Sequence, residues 1–229
     1  TEGPCQSQAI IDSKFSMWLN SISVSGGCNT QTSNNNTGAP SFCGGTTTVI
    51  FTVTSDCEPN VTCTATFTVS PATPVNLTCP TNATEAACQN QAAIDAKFNT
   101  WLGTVSFNGG CNSSLSNNNT GAPSFCGGSK TVTFTVTSDC EAPKTCMATF
   151  TVDPTALIVL NCPVNQTEAA CQTQASIDSK FNTWLGTVSF SGGCNPTISN
   201  NNTGAPSFCG GSKTVTFTVT SDCEVPKTC

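Results

Sequence analysis

The chain has 229 residues, of which only 9% are charged, and thirteen acidic against seven basic side chains leave a net charge of −6. Seven Lys and Arg spread over that length cannot build the clustered basic surface that nucleic-acid binding needs. Histidine and tyrosine are absent, which excludes Ser-His-Asp and Cys-His catalysis and removes the phenolic acid.

The seventeen cysteines fall into columns: Cys5, Cys88, Cys171; Cys28, Cys111, Cys194; Cys43, Cys126, Cys209; Cys57, Cys140, Cys223; Cys63, Cys146, Cys229; and Cys79, Cys162. Each step is 83 residues, the difference between positions 5 and 88, with no insertion or deletion. Three tandem repeats follow, at 1–72 (incomplete at its start), 73–155 (complete) and 156–229 (incomplete at its end), cut from a longer array. Residues 121–146 recur at 204–229 with a single change, Ala142 to Val225, which points to recent duplication. No cysteine pair has zinc-ribbon or redox-motif spacing, so cysteines this dense are read as disulfides formed outside the cytosol. No run approaches the ~20 apolar residues of a membrane-spanning helix; the longest, Ala156 to Leu160, reads as a strand.

In the complete repeat, Val75, Leu77 and Cys79 alternate with polar residues and predict a first strand. Ile94, Phe98, Trp101 and Leu102 then sit at i, i+4, i+7 and i+8, one face of a helix, with Gly103 at its C-terminal cap. The Trp-Leu pair could stack on a ligand, but core burial is the reading preferred here. A short strand at Thr104 to Phe107 leads to turns at Gly109-Gly110-Cys111, through the Asn-rich run Ser116 to Thr120, and at Gly121 to Gly128. Strict alternation follows: Val132, Phe134 and Val136 face inward and threonines outward. After a turn at Glu141 to Lys144, Ala148, Phe150 and Val152 complete a hairpin. A mainly β fold follows, with tandem immunoglobulin-like β-sandwich domains, each carrying one short helix and about three disulfides.

Six cysteines allow fifteen connectivities. An immunoglobulin-like path, with first and last strands side by side, favours Cys79–Cys146, with Cys88–Cys126 at one end and Cys111–Cys140 at the other. Applied to the other repeats this predicts Cys5–Cys43, Cys28–Cys57, Cys162–Cys229, Cys171–Cys209 and Cys194–Cys223. Asn35, Asn60, Asn76, Asn82, Asn112, Asn118, Asn165 and Asn201 match the glycosylation sequon, a pattern that arises by chance in Asn- and Thr-rich text. No cofactor is expected. Asp139 and Glu141 at a loop tip are the one candidate for Ca²⁺, without a DxDxDG loop around them.

Val75-Asn76-Leu77-Thr78-Cys79-Pro80, Cys126-Gly127-Gly128, the stretch Thr131 to Cys140 and Thr145 to Val152 resemble the hyalin-repeat-like (HYR-like) family. The likeness is closest to its cysteine-rich variant in giant surface proteins of Bacteroidota. The resemblance implies an immunoglobulin-like sandwich, export by the type IX system, a cell-surface location, and a role in adhesion or gliding without catalytic residues. The ordinary family lacks this helix and has fewer cysteines. The expected function is therefore a non-enzymatic shaft of an extracellular adhesin or filament, a stiff line of domains without flexible tethers. The expected partners are neighbouring repeats, other copies in a fibre, and a polysaccharide or solid surface. The alternative is an array of weak glycan-binding modules acting through avidity.

Overall fold

The computed structural model describes all 229 residues. Its three helices form where the sequence repeats Gln-Ala-x-Ile-Asp-x-Lys-Phe: α1 (Gln8–Leu19), α2 (Gln91–Leu102) and α3 (Gln174–Leu185). Each begins at a polar cap. Ser7, Asn90 and Thr173 accept hydrogen bonds from the backbone N–H of Ile10, Ala93 and Ser176, an arrangement worth about 1 kcal/mol. Gly103 stands at the C-terminal cap as expected, but its φ of −71° is right-handed and Asn20 fills the same place in the first repeat. That position needs no glycine.

The first repeat holds β1 (Gln31–Asn34), β2 (Gly45–Thr54) and β3 (Val61–Val69) in one antiparallel sheet of that order. The complete repeat adds β4 (Asn76–Thr78), β5 (Ala83–Glu85), β6 (Ser106–Asn108), β7 (Ser114–Asn117), β8 (Gly128–Ser138) and β9 (Glu141–Val152). Its larger sheet runs β5-β9-β8-β7 and its smaller one pairs β4 with β6. The third repeat has β10 (Val159–Asn161), β11 (Ser189–Ser191), β12 (Thr197–Asn200), β13 (Phe217–Ser221) and β14 (Glu224–Thr228). The fold is mainly β with one helix per repeat, and no helix is long and apolar enough to cross a membrane.

Several strands differ from expectation. The first strand of the complete repeat is only Asn76–Thr78, with Cys79 just past its end, and the Ala156 to Leu160 run contributes only its last two residues to β10. The first two residues of the Asn-rich run are strand, because Ser116 and Asn117 pair with Thr135 and Phe134. Residues 83–85 form a parallel strand beside β9 that shows no alternation in sequence.

Two compact units are present: Thr1–Pro80 with Thr104–Asn119 and Val132–Met147, and Thr81–Gly103 with Thr120–Thr131 and Ala148–Cys229. Neither follows the 83-residue register. In the first, α1 packs on β2 and β3 around Ile11, Phe15, Val49, Phe51, Phe67 and Val69. Phe15 meets Phe67 edge-on at 5.3 Å between centroids, and Trp18 meets Phe51 at 5.9 Å. In the second, Phe98 and Trp101 of α2 lie 5.3 and 5.5 Å from Phe150 of β9. Ile94, Phe98, Val132, Phe134, Val136 and Phe150 are buried, Trp101 is 7% exposed and Leu102 is half-buried. The Trp101 indole N–H donates to the Thr81 carbonyl at 2.7 Å, so the ring is fixed at both its apolar and its polar ends.

Candidate functional site: a two-disulfide clamp between repeats

Two edges of the repeat carry cysteine pairs. On the helix edge, Cys5 precedes the cap of α1 with φ of +64°, and Cys43 lies in the turn before β2. The Gln8 side chain holds these together, donating to the Pro40 carbonyl at 3.1 Å and accepting from the Phe42 N–H at 3.0 Å. Gln91 does the same with Pro123 and Phe125, and Gln174 with Pro206 and Phe208. On the opposite edge, Cys111 follows Gly109-Gly110 and its N–H donates to Ser138 Oγ at 3.0 Å. The Asp139 N–H donates to the Cys111 carbonyl at 3.0 Å, and the Asn112 amide donates to the Asp139 carboxylate at 2.8 Å. Cys28, Asn29, Ser55 and Asp56 repeat this lacing in the first repeat, and Cys194, Asn195, Ser221 and Asp222 in the third.

The helix edge of one repeat is bonded to the loop edge of the next. Within the first compact unit the bridges are Cys5–Cys111 and Cys43–Cys140, with Cα separations of 5.0 and 5.2 Å. Within the second they are Cys88–Cys194 and Cys126–Cys223, at 5.1 and 5.3 Å. Cys79–Cys146 and Cys162–Cys229, each spanning 67 residues, stay inside their repeats.

Six expected pairings are thereby corrected. Cys88–Cys126, Cys111–Cys140, Cys5–Cys43 and Cys194–Cys223 do not form, because each of these cysteines is bonded to a neighbouring repeat. Cys28, Cys57, Cys171 and Cys209 are free, so Cys28–Cys57 and Cys171–Cys209 are absent as well. A constant register of 83 residues is equally compatible with pairing inside one period and pairing to the next. An even cysteine count made the closed solution look sufficient, whereas each pair faces the complementary edge of the adjoining repeat.

The segment joining two repeats is held inside the clamp. The Ala72 N–H donates to the Cys43 carbonyl at 3.3 Å, and the Gly110 N–H donates to the Thr73 carbonyl at 2.8 Å. A Cβ on Gly44 would stand 2.8 Å from the Pro71 Cα, and one on Gly109 would collide with the Pro74 carbonyl. Gly127 against Pro154 and Gly192 against Leu157 repeat the arrangement at the second junction. These glycines are required by close approach of backbone as well as by positive φ.

The loop-tip carboxylates of Asp139 and Glu141 are engaged. Glu141 accepts from the Val75 N–H at 2.5 Å and pairs with Lys144 at 3.7 Å, while Asp139 is taken by Asn112. Glu224 accepts from the Ile158 N–H in the same way. The acidic loop tip therefore anchors the start of its own repeat, and no group of three or more His, Cys, Asp or Glu side chains is placed to hold a metal ion. Glu85 meets Lys97 at 2.5 Å, and Glu168 meets Lys180 at 2.6 Å. The Lys180 hydrogen bond, aided by Gln172 and Gln166, pulls Glu168 down to about 2.

The sequon asparagines are all exposed, but several have structural work. The side-chain carbonyls of Asn35, Asn118 and Asn201 accept from the backbone N–H groups of Ile50, Thr133 and Thr216 at 2.8 Å, and Asn82 accepts from the Thr149 N–H at 2.9 Å. Asn60, Asn76 and Asn165 are exposed at positions outside this pattern, and Asn112 is committed to Asp139. Outward threonines pair with each other, as Thr131 with Thr149 at 2.9 Å and Thr46 with Thr68 at 3.1 Å. A cavity of about 460 Å³ is lined by Ile177, Phe181, Trp184 and Phe208 together with polar loop residues.

No protein-family model matches the chain, and no curated protein matches it significantly. A solved structure of PcdhgB3 EC1-4 is similar at 9% identity, over 80% of this chain and 55% of that one, with a TM-score of 0.27. The chain thus spans about half the length of that structure, and at this score the two paths share too little to inform one another.

Proposed function

We propose that the chain is a load-bearing segment of an extracellular adhesin or filament shaft, structural and not catalytic. Six disulfides require an oxidising compartment to form and persist, which supports a location outside the cytosol. The resemblance to hyalin-repeat-like surface proteins supports the cell surface of a Bacteroidota organism, type IX export and a part in adhesion or gliding.

The observation that carries the proposal is the route of tension through covalent bonds. Entering the complete repeat at Cys140 from Cys43, a pulling force leaves it at Cys126 for Cys223 after only 14 residues. The remainder of the 83-residue period hangs outside the load path. From Thr1 to Cys229 the shortest covalent path crosses Cys5–Cys111 and Cys126–Cys223 and includes 25 backbone steps, 4 before the first bridge, 15 between the two and 6 after the second. At roughly 3.5 Å per residue that limits extension to roughly 100 Å, against roughly 800 Å for the linear chain. Folding energy therefore does not have to resist the pull.

Single-molecule stretching of the oxidised chain by its termini tests this. The proposal expects a contour length near ~100 Å that rises toward ~800 Å after reduction. An oxidised chain that unravels to several hundred ångströms contradicts it.

A further inference from the structure

The four cysteines through which the complete repeat bonds its neighbours alternate in direction along the chain. Cys88 bonds forward to Cys194, Cys111 back to Cys5, Cys126 forward to Cys223 and Cys140 back to Cys43. This order leaves three separate stretches that each join a backward bond to a forward one: 88–111, 111–126 and 126–140. Had both backward cysteines preceded both forward ones, a single stretch would carry every route across the repeat. Every peptide bond from 73 to 155 is spanned by at least two bridges.

The stretches differ in their exposure. Within 111–126, residues 118–123 belong to no helix or strand, and Asn118 to Gly121 are exposed. Exposed loop tips of small polar residues are where endopeptidases nick folded proteins. Within 126–140 lies β8, which has β9 on one side and β7 on the other and buries Val132, Phe134 and Val136. Its backbone is closed to a protease while the sheet stands. The shielded strand connects to the same two neighbouring repeats as the exposed loop and by a route of similar length, 14 backbone steps against 15.

We infer that residues 118–123 are a nick site for an endopeptidase and that the alternating clamps let the shaft survive the cut. The inference rests on the shaft reading and extends it from tension to cleavage. Hydrolysis adds one water across one peptide bond and leaves a carboxylate and an amine; no disulfide is broken and no oxidant is needed. Load then passes through the remaining bridges. From Thr1 to Cys229 the shortest route becomes 52 backbone steps, 4 to Cys5, 32 from Cys111 back to Cys79 and 16 from Cys146 to Cys162, itself bonded to Cys229. That is roughly twice the intact path, so the limit of extension rises only to about 180 Å and the chain stays in one piece.

Thr120→Arg supplies the test, because the chain has no arginine and an arginine-specific endopeptidase then cuts only between 120 and 121. The digested, unreduced chain should run as one band near 23.5 kDa and give two fragments only after reduction. Stretched by its termini, it should extend about twofold further than the uncut variant. A broad-specificity endopeptidase acting on the unsubstituted chain should make its first cut in the complete repeat within 118–123 and leave the same unreduced band. A loop that resists the protease, or fragments that part without reductant, would overturn the inference. If the uncut chain already unravels to several hundred ångströms, the shaft reading falls as well. If the uncut chain holds near ~100 Å and only the cut one parts, the shaft reading survives.

Discussion

Cys79–Cys146 and Cys43–Cys140 are both disulfide bridges, with different consequences. The first closes a 67-residue loop beside β9, inside one repeat. The second closes a 97-residue loop and belongs to the route by which force crosses from repeat to repeat. Bridges inside a repeat add stability, whereas those between repeats decide what is covalently near to what.

The largest expected effect comes from removing one clamp. With Cys5, Cys43, Cys111 and Cys140 all replaced by Ser, the shortest route runs through Cys79–Cys146 and Cys162–Cys229. The contour length measured by stretching should rise roughly fourfold. Cys79→Ser with Cys146→Ser should leave it unchanged while lowering stability by about 2–5 kcal/mol in denaturant titration.

Next in size is the buried indole. Trp101→Ala should cost about 3–5 kcal/mol, while Trp184→Ala, at a half-buried ring, should cost clearly less in the same assay. Neither should alter the disulfide map, which separates packing from connectivity.

A smaller effect is expected where backbones touch. A Cβ on Gly127 would stand 2.9 Å from the Pro154 Cα, whereas Gly121, also at positive φ, has nothing within 4 Å. Gly127→Ala should exceed Gly121→Ala by about 1–3 kcal/mol, the usual cost of overpacking, read from denaturant midpoints. Equal costs would mean the junction is loose.

The smallest effect is electrostatic. Glu168 is half-buried, and its pKa is lowered to about 2 from 4.5. A depressed carboxylate contributes fully above pH 4.5 and loses its contribution as pH falls through about 2. An NMR titration should place that window there, and Lys180→Met should move it back toward 4.5 while changing stability at neutral pH only slightly.

The helix face of Ile94, Phe98 and Trp101 and the alternation of Val132, Phe134 and Val136 were legible because burial writes its period into the residues that make it. The staple Cys79–Cys146 was legible because both cysteines continue inward-facing strand sets. The parallel strand at 83–85 was hidden, since three half-polar residues carry no period. The roles of Asn82 and Asn118 as acceptors for strand N–H groups were equally hidden behind the glycosylation pattern. The clamps were hidden for another reason: tandem identity makes Cys140 and its equivalents indistinguishable, so the sequence has no mark of which repeat a cysteine faces. Gly109 and Gly127 were a usable signal, because paired glycines beside cysteines at both edges mark where another backbone must pass.

Non-reducing peptide mapping of the native chain tests the central claim most directly. Digestion should release a disulfide-linked peptide joining Cys43 to Cys140 and a second joining Cys126 to Cys223. Recovery of Cys111 joined to Cys140, or of Cys88 joined to Cys126, would close each repeat on itself and contradict the covalent load path.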